Sequence, residues 1–179
     1  MIAGVVLAGG LSSRMGCDKS QLEISGVSLI EHSKDVLKKA GLNNIFISGH
    51  QGIKDKIKNK GPLVGILSSL EHLNNYQHIL FTTVDMPLIN EEIYLQLIEY
   101  KNTPAVYIEN FFFPLLIDNS TTNRNIISSL IDNNQLSIGN MLKSLKATAI
   151  KSHFEQMLFA NANTKADWKV ILDFIEQKK

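Results

Sequence analysis

Residues 2–20 read IAGVVLAGGLSSRMGCDKS and join an apolar run to a loop that is rich in glycine and polar side chains. The run IAGVVL, residues 2–7, is typical of a β-strand that is buried on both faces of a parallel sheet. The loop that follows carries two adjacent glycines, an arginine and a lysine. Ligands of open α/β sheets bind at the carboxyl ends of the strands, and this loop begins at such an end. The stretch therefore predicts an α/β fold with a ligand against the loop.

The next eighty residues alternate between helix and strand patterns. Helices are predicted over residues 28–40 and 63–73 and after Asn90, and strands over residues 44–48 and 78–84. This order implies right-handed crossovers and a mostly parallel sheet with helices on both faces. We therefore predict a Rossmann-like, three-layer α/β/α fold, with the whole chain of residues 1–179 forming one domain.

The second half of the chain is less regular. The sequences AVYI, residues 105–108, and FFFPLLI, residues 111–117, are predicted as strands, and DNSTTNRN, residues 118–125, as a mobile link. A final helix is expected to begin at Thr164, because Asp167 stands three residues later as a capping partner. The consecutive phenylalanines would also suit a platform for an aromatic ligand, but a buried or edge strand is the preferred interpretation.

Composition argues against several classes of function. A formal net charge of +1 over 179 residues gives no general attraction to nucleic acid or to anionic membranes. No apolar run approaches the roughly 20 residues that a membrane-spanning helix requires. The first residues lack the basic start of a signal peptide, and the single cysteine favours a reducing compartment. We expect a cytoplasmic protein that binds neither nucleic acid nor membrane.

The opening loop has the chemistry of a polyphosphate site. Gly9 and Gly10 allow the backbone to approach a ligand and to turn its N–H groups toward an anion. Arg14 offers a planar fork for phosphate oxygens, and Lys19 offers a movable point charge. The spacing of Gly9, Gly10 and Gly16 fits neither a P-loop nor a dinucleotide-binding fingerprint, so that both assignments fail.

The sequence LAGGLSSRMGCDK, residues 7–19, resembles the signature L-A-G-G-x-S-x-R-M-G-x-D-K of molybdenum cofactor guanylyltransferases, the MobA family. Three later stretches resemble segments of the same family: GPLVGI at residues 61–66, FTTVDMPLI at residues 81–89 and FANANTKADW at residues 159–168. The resemblance spans residues 2–175. It implies a nucleotidyltransferase with the fold of the nucleotide-diphospho-sugar transferases.

The resemblance implies a reaction of GTP with molybdopterin that gives the guanine dinucleotide form of the molybdenum cofactor and pyrophosphate. The nucleophile would be the terminal phosphate of the pterin. That phosphate is already anionic at neutral pH, so that alignment and charge neutralisation are needed rather than a general base. Mg²⁺ is the implied cofactor. Molybdenum insertion proteins and molybdoenzymes are the implied transient partners.

The resemblance also implies a set of site residues. Arg14 and Lys19 are the implied catalytic cations, and Asp85 is the implied Mg²⁺ ligand and third catalytic residue. An acid directly after the third strand faces the same crevice as the opening loop, which suits a metal shared with phosphates. Asn161 and Asn163 are the implied contacts of the pterin. Besides Lys19 and Asp85, the nucleotide is expected to contact Leu7, Ala8, Gly9, Gly10, Ser48 and Asp55.

Two regions depart from the family pattern. The chain is shorter than is usual between Gln51 and Gly61, and Phe113-Pro114 stands where the family often has His-Pro, so any role of that histidine is absent. Two alternatives stay open on the sequence. One is a nucleotidyltransferase of the same fold with another base or acceptor, such as a cytidylyltransferase. The other is a non-catalytic nucleotide-binding protein, against which the intact cations and acid argue.

Overall fold

The computed structural model describes residues 1–8, 22–49, 52–55 and 61–178. The strands in these ranges are β1 (Ile2–Leu7), β2 (Glu23–Ile24), β3 (Val27–Ser28), β4 (Ile45–Ser48), β5 (His78–Thr83), β6 (Ala105–Ile108), β7 (Leu115–Asp118) and β8 (Thr148–Ile150). The helices are α1 (Leu29–Lys39), α2 (Pro62–His72), α3 (Glu91–Glu99), α4 (Thr121–Asp132), α5 (Ile138–Ser144) and α6 (Lys165–Gln177), and a 3₁₀ helix covers Gln156–Phe159. Within the described ranges, none of these helices has both the length and the apolar character that a bilayer crossing demands.

Six strands form one sheet in the order β4-β1-β5-β7-β6-β8, and β2 and β3 form a separate hairpin. In the large sheet β7 runs antiparallel to its neighbours β5 and β6, and all other neighbouring strands are parallel. The mostly parallel α/β sheet predicted from the sequence is confirmed. The strand predicted over residues 111–117 begins only at Leu115, and it lies inside the sheet rather than at its edge.

Two apolar clusters cover the two faces of the sheet, which confirms the predicted three layers. One cluster joins the sheet to α2, α4 and α5, and the other joins it to α1 and α3. Along β1, the side chains of Ala3 and Val5 pack into the first cluster and that of Val6 into the second, and all three are fully buried. Burial on both faces explains why β1 is a continuous apolar run rather than an alternating one.

Two helices begin at the capping residues predicted from the sequence, Asn90 for α3 and Thr164 for α6. Ser28 caps α1, and Asn90 caps α3 by accepting a hydrogen bond from the amide of Ile93. Thr164 and Asp167 form a reciprocal capping box at the start of α6. These caps satisfy amide groups that a helix leaves without partners in its first turn.

The mobile link predicted over residues 118–125 is wrong, because α4 begins inside it. Ser120 caps α4 by accepting from the amide of Asn123, which is itself buried. The polar run misled the prediction because its side chains have partners elsewhere in the fold. Arg124 donates to the carbonyl oxygen of Asn119 at 2.6 Å. The buried amide of Asn119 donates in turn to three carbonyl groups near the end of α2, those of Leu70, Leu73 and Tyr76.

Candidate active site

The carboxyl ends of β4, β1 and β5 lie side by side at one edge of the sheet, which we call the carboxyl edge. Leu7 is in register with Ser48 on one side and with Thr83 on the other. The amide of Ala8 donates to the carbonyl of Ser48 at 3.0 Å, and the amide of Val84 donates to that of Leu7 at 3.3 Å. Three of the predicted nucleotide residues are thus neighbours at this edge.

Gly65 of α2 lies directly against this group. A Cβ atom at this position would lie 3.0 Å from Oγ of Ser48 and 3.3 Å from Oδ1 of Asp55. The same atom would lie 3.8 Å from Cδ2 of Leu7. The hydroxyl of Ser48 and the carboxylate of Asp55 therefore share a narrow space that only a hydrogen atom at Gly65 leaves open. The GPLVGI sequence contributes this glycine as well as the start of the helix.

Residues 52–55 are held along the outer side of β4. The amide of Ile53 donates to the carbonyl of Ile47 at 2.8 Å, and the amide of Gly49 donates to the carbonyl of Ile53 at 3.0 Å. Gly52 passes so close to the strand that a Cβ atom there would lie 2.0 Å from the carbonyl oxygen of Ile47. This backbone pairing brings Asp55 back to the carboxyl edge.

Asp85 lies directly after β5 in a turn that is fixed from two sides. From one side the ring nitrogen Nε2 of His32, on α1, donates to the carbonyl oxygen of Pro87 at 2.9 Å. From the other side the amide of Ala162 donates to the carbonyl oxygen of Asp85 at 2.7 Å. Within the turn, the amide of Met86 donates to the carbonyl of Thr83 at 3.4 Å. The backbone that carries the predicted metal ligand is thus anchored at residues distant in sequence.

Asn161 and Asn163, the predicted pterin contacts, flank Ala162. The hydrogen bond from Ala162 to Asp85 therefore places both asparagines next to the turn that carries the predicted metal ligand. Ala162 is fully buried, whereas both asparagines are exposed. The amide of Asn163 donates to Oδ2 of Asp167 in the first turn of α6. Exposed amide side chains on a fixed backbone are suited to hydrogen bonds with a polar heterocycle.

The predicted residues of the opening loop lie outside the described residues. This applies to Gly9, Gly10 and both catalytic cations, Arg14 and Lys19. Their roles stay predictions from the sequence. Leu7 and Ala8, which lead into the loop, are placed at the carboxyl edge.

The oxygen atoms near Asp85 fit a hard divalent cation. Carboxylate and hydroxyl oxygens are the donor types that Mg²⁺ prefers, and Mg²⁺ commonly takes one or two carboxylates together with substrate phosphates and water. Oγ1 of Thr83, two residues before Asp85, is buried and has no hydrogen-bond partner in the described part of the chain. Nowhere in that part do three or more His, Cys, Asp or Glu side chains form a group that could hold a metal by themselves. Thr83 was missed by the sequence interpretation, although a hydroxyl shortly before a strand-end acid was the available signal.

A buried hydrogen bond lies close to the carboxyl edge, at the last-but-one residue of β5. The hydroxyl of Tyr94, on α3, donates to Oγ1 of Thr82 at 2.9 Å. Burial raises the pKa of the Tyr94 phenol well above its ordinary value, so that the donor stays protonated. This hydrogen bond joins the end of strand β5 to α3, and nothing in the local sequence pattern predicts it.

Comparison with known proteins agrees with this geometry. The family model described as MobA-like NTP transferase domain matches residues 4–124. A molybdenum cofactor guanylyltransferase of Xanthomonas euvesicatoria pv. vesicatoria (strain 85-10) is 29% identical over 178 residues, which cover 94% of this chain and 93% of that protein.

Two solved structures have the same fold over nearly the whole chain. A nucleotidyl transferase from Methanothermobacter thermautotroptrophicus superposes with a TM-score of 0.78 at 16% identity and covers 100% of this chain and 99% of that one. The molybdopterin-guanine dinucleotide biosynthesis protein A of Archaeoglobus fulgidus superposes with a TM-score of 0.70 at 19% identity, covering 98% and 99%. At these identities the likeness establishes the fold of the nucleotidyltransferases.

Proposed function

The chain belongs to the family of MobA-like NTP transferase domains, and from this premise we propose that it transfers GMP from GTP to molybdopterin and releases pyrophosphate. The product is the guanine dinucleotide form of the molybdenum cofactor. One observation supports the proposal: backbone hydrogen bonds connect the segment of Asp85 to Leu7, through the amide of Val84, and to Ala162, between the two predicted pterin contacts. The name of the Xanthomonas relative supports the choice of both substrates.

The proposed reaction is a displacement at the α-phosphorus of GTP. An oxygen of the molybdopterin phosphate forms a new bond to that phosphorus, and the bond from the phosphorus to the oxygen that bridges the α- and β-phosphates breaks. The departing pyrophosphate keeps the electron pair. Because the attacking phosphate is already an anion, no proton has to be removed from it. The site must align two anions and stabilise the charge that develops on the leaving group.

The residues divide into three roles in this proposal. Arg14 and Lys19 stabilise the phosphates and the leaving group, and Asp85 holds Mg²⁺. When bound there, Mg²⁺ supplies positive charge that reduces the repulsion between the two substrates. Asn161 and Asn163 bind the pterin. The nucleotide is bound by the side chains of Ser48 and Asp55 and by the backbone of Leu7, Ala8, Gly9 and Gly10.

The proposal includes the setting of the reaction. The substrates are GTP and molybdopterin, and the reaction takes place in the cytoplasm, in a single domain of residues 1–179. Molybdenum insertion proteins and molybdoenzymes are transient partners that deliver or accept the cofactor. Support for this setting comes from the composition, because a net charge of +1 and a single cysteine suit a cytoplasmic protein that binds neither nucleic acid nor membrane.

A product assay tests the proposal. The protein is incubated with molybdopterin, Mg²⁺ and each of the four nucleoside triphosphates, and pyrophosphate release is measured together with the mass of the product. We expect pyrophosphate with GTP and a product of the mass of the guanine dinucleotide, and loss of both when the metal is chelated. A cytosine dinucleotide product would replace the proposal with a cytidylyltransferase. Binding of GTP without pyrophosphate, for any acceptor, would identify a non-catalytic protein.

A further inference from the structure

The loop between β6 and β7, residues 109–114, lies at the same carboxyl edge as Asp85. Both β5 and β6 run antiparallel to β7, so that β6 runs in the direction of β5 and β1. Ile108, the last residue of β6, therefore lies at the carboxyl edge. The chain turns there, with the amide of Phe111 donating to the carbonyl of Ile108 at 2.9 Å, before it enters β7.

The three phenylalanines of this loop have different environments. Phe111 stacks on Phe159, with ring centroids 4.2 Å apart and ring planes at 14°. Phe113 packs against both apolar clusters of the core. Phe112, between them, is 54% exposed. Because its neighbours on both sides are anchored in the core, the exposed ring is carried by a well-held stretch of backbone.

The stack of Phe111 on Phe159 connects this loop to the predicted pterin segment. Phe159 ends the 3₁₀ helix, and Asn161 and Asn163 follow within four residues. The amide of Ala162, between the two asparagines, bonds to the carbonyl of Asp85. The loop that carries Phe112, the segment that carries the two asparagines and the turn of Asp85 are therefore connected by direct contacts.

The exposed ring lies away from four nucleotide residues that the structure describes, Leu7, Ala8, Ser48 and Asp55. Those residues are on β1, on β4 and beside α2. With strands about 4.8 Å apart, β6 lies three strand positions, roughly 14 Å, from β1. A Cβ atom built on Gly139, in the first turn of α5, would lie 3.7 Å from Cζ of Phe112. The tip of the Phe112 ring therefore lies beside α5, close enough that a methyl group at Gly139 would touch it, and about half of the side chain is exposed.

We propose that Phe112 stacks on the fused ring of the pterin acceptor. This inference rests on the proposed function and names a further binding residue for it. A flat heterocycle gains favourable dispersion and quadrupole contacts on an exposed aromatic face. Stacking of a base on an aromatic side chain typically changes affinity by about tenfold when the ring is removed. The asparagine amides would satisfy the polar edge of the heterocycle and Phe112 would cover its apolar face.

The test compares four variants with the wild-type chain. Phe112→Ala and Phe112→Leu remove the ring, and the second keeps apolar bulk. Phe112→Tyr keeps the ring. Tyr100→Ala is the matched control, because Tyr100 is 42% exposed and follows α3 at the opposite edge of the sheet. The readouts are the Kd for molybdopterin from the quenching of pterin fluorescence and the KM values for molybdopterin and GTP.

We expect the Kd and the KM for molybdopterin to rise about tenfold in the Ala and Leu variants, with the KM for GTP unchanged. The Tyr variant and the Tyr100 control should match the wild type. An unchanged Kd for molybdopterin in both ring-less variants, with an active wild type, would overturn this inference and leave the proposed function standing. A wild-type chain that neither binds molybdopterin nor transfers GMP would overturn both.

Discussion

The carboxyl edge consists of two halves that are built in opposite ways. On the nucleotide side the predicted contacts lie in a close-packed space, where Ser48 is 2% exposed and a methyl group at Gly65 would lie only 3.0 Å from its hydroxyl oxygen. On the acceptor side the predicted contacts, Asn161, Asn163 and Phe112, are exposed and their backbone is anchored. Asp85 lies between the two halves.

The difference indicates how each half achieves recognition. In the nucleotide half the shape of the space is set by buried atoms, because a close-packed interior resists an added methyl group. In the acceptor half the side chains project from a rigid backbone and are free to change without disturbing the core.

The largest expected effect comes from the residue between the halves. Asp85→Asn keeps the size of the side chain but removes the negative charge, and we expect the rate of GMP transfer to fall on the order of 100-fold or more. Steady-state pyrophosphate release measures this rate. Asp118→Asn is the control, because Asp118 ends β7 at the opposite edge, 4.0 Å from His78. Near-wild-type turnover of Asp85→Asn would show that Asp85 is not a catalytic residue.

The next effect tests the close packing of the nucleotide half. Gly65→Ala places a methyl group 3.0 Å from Oγ of Ser48, and Ser48 is too buried to move outward. We expect the KM for GTP to rise about tenfold, the equivalent of one displaced hydrogen bond of roughly 1–1.5 kcal/mol. The Tm should fall only slightly, because the better helix propensity of alanine, about 0.5–1 kcal/mol, offsets part of the cost of the crowded methyl group.

The control for this change is Gly139→Ala in α5. A methyl group at Gly139 has its nearest neighbour at 3.5 Å, an ordinary contact distance, and the KM for GTP should not change. A Gly65→Ala enzyme with a normal KM for GTP would contradict the idea that buried atoms set the shape of the nucleotide half.

A smaller effect is expected from the support of the turn between the halves. His32→Leu removes the hydrogen bond to the carbonyl of Pro87, and we expect about a three- to tenfold loss of kcat because the turn of Asp85 is less well fixed. Binding of Mn²⁺, measured from the signal of the free ion by electron paramagnetic resonance, should weaken in parallel. His72→Leu, an exposed histidine at the end of α2, is the control. Unchanged kcat and Mn²⁺ binding would show that His32 has no part in placing Asp85.

The smallest effect on catalysis is expected from loss of the buried hydrogen bond between Tyr94 and Thr82. Tyr94→Phe leaves the buried hydroxyl of Thr82 without its donor, which should lower the free energy of unfolding by about 1–2 kcal/mol. The rate per folded molecule should stay within about twofold of the wild type, because neither half of the edge changes. Chemical denaturation and an activity assay separate the two quantities. A large loss of rate in a folded variant would show that catalysis also depends on this buried hydrogen bond.

The same substitution has an expected pH dependence. Burial raises the pKa of Tyr94 above its ordinary value of 10.0. The folded protein therefore holds this proton more tightly than the unfolded chain, and the associated stability is lost as the pH rises above that value. In Tyr94→Phe the decline in stability at alkaline pH should be shallower than in the wild type.

Much of the fold follows from the pattern of residues along the chain. The apolar run of β1, the cap at Asn90 and the capping pair Thr164 and Asp167 are local signals, and the structure confirms each of them. The start of α4 could not be predicted in the same way. Its polar first turn is stabilised by partners on α2 and at the ends of strands, which are distant in sequence.

The candidate site shows the same division between local and distant information. The sequence located Asp85 after a strand and Asn161 before a helix, but the hydrogen bond from Ala162 that joins them spans about half of the chain. The supporting contact of His32 and the orphan hydroxyl of Thr83 were also missed. Each of these features depends on which element of the fold packs against the residue, and this cannot be read from the local sequence. The same holds for the antiparallel position of β7 between β5 and β6, which no repeat of apolar residues along the chain predicts.

The bond from Ala162 to Asp85 has a consequence for engineering this enzyme. The matched family segment ends at residue 124, yet the main chain of Asp85, the predicted metal ligand, is supported by Ala162, far beyond that point. A hybrid that takes residues 125–179 from a relative would exchange the predicted acceptor contacts and the backbone support of Asp85 in one step. We therefore expect acceptor choice and turnover to change together in such a hybrid. A redesign of either property should preserve the amide group of Ala162, which supports Asp85 and lies between the two predicted pterin contacts.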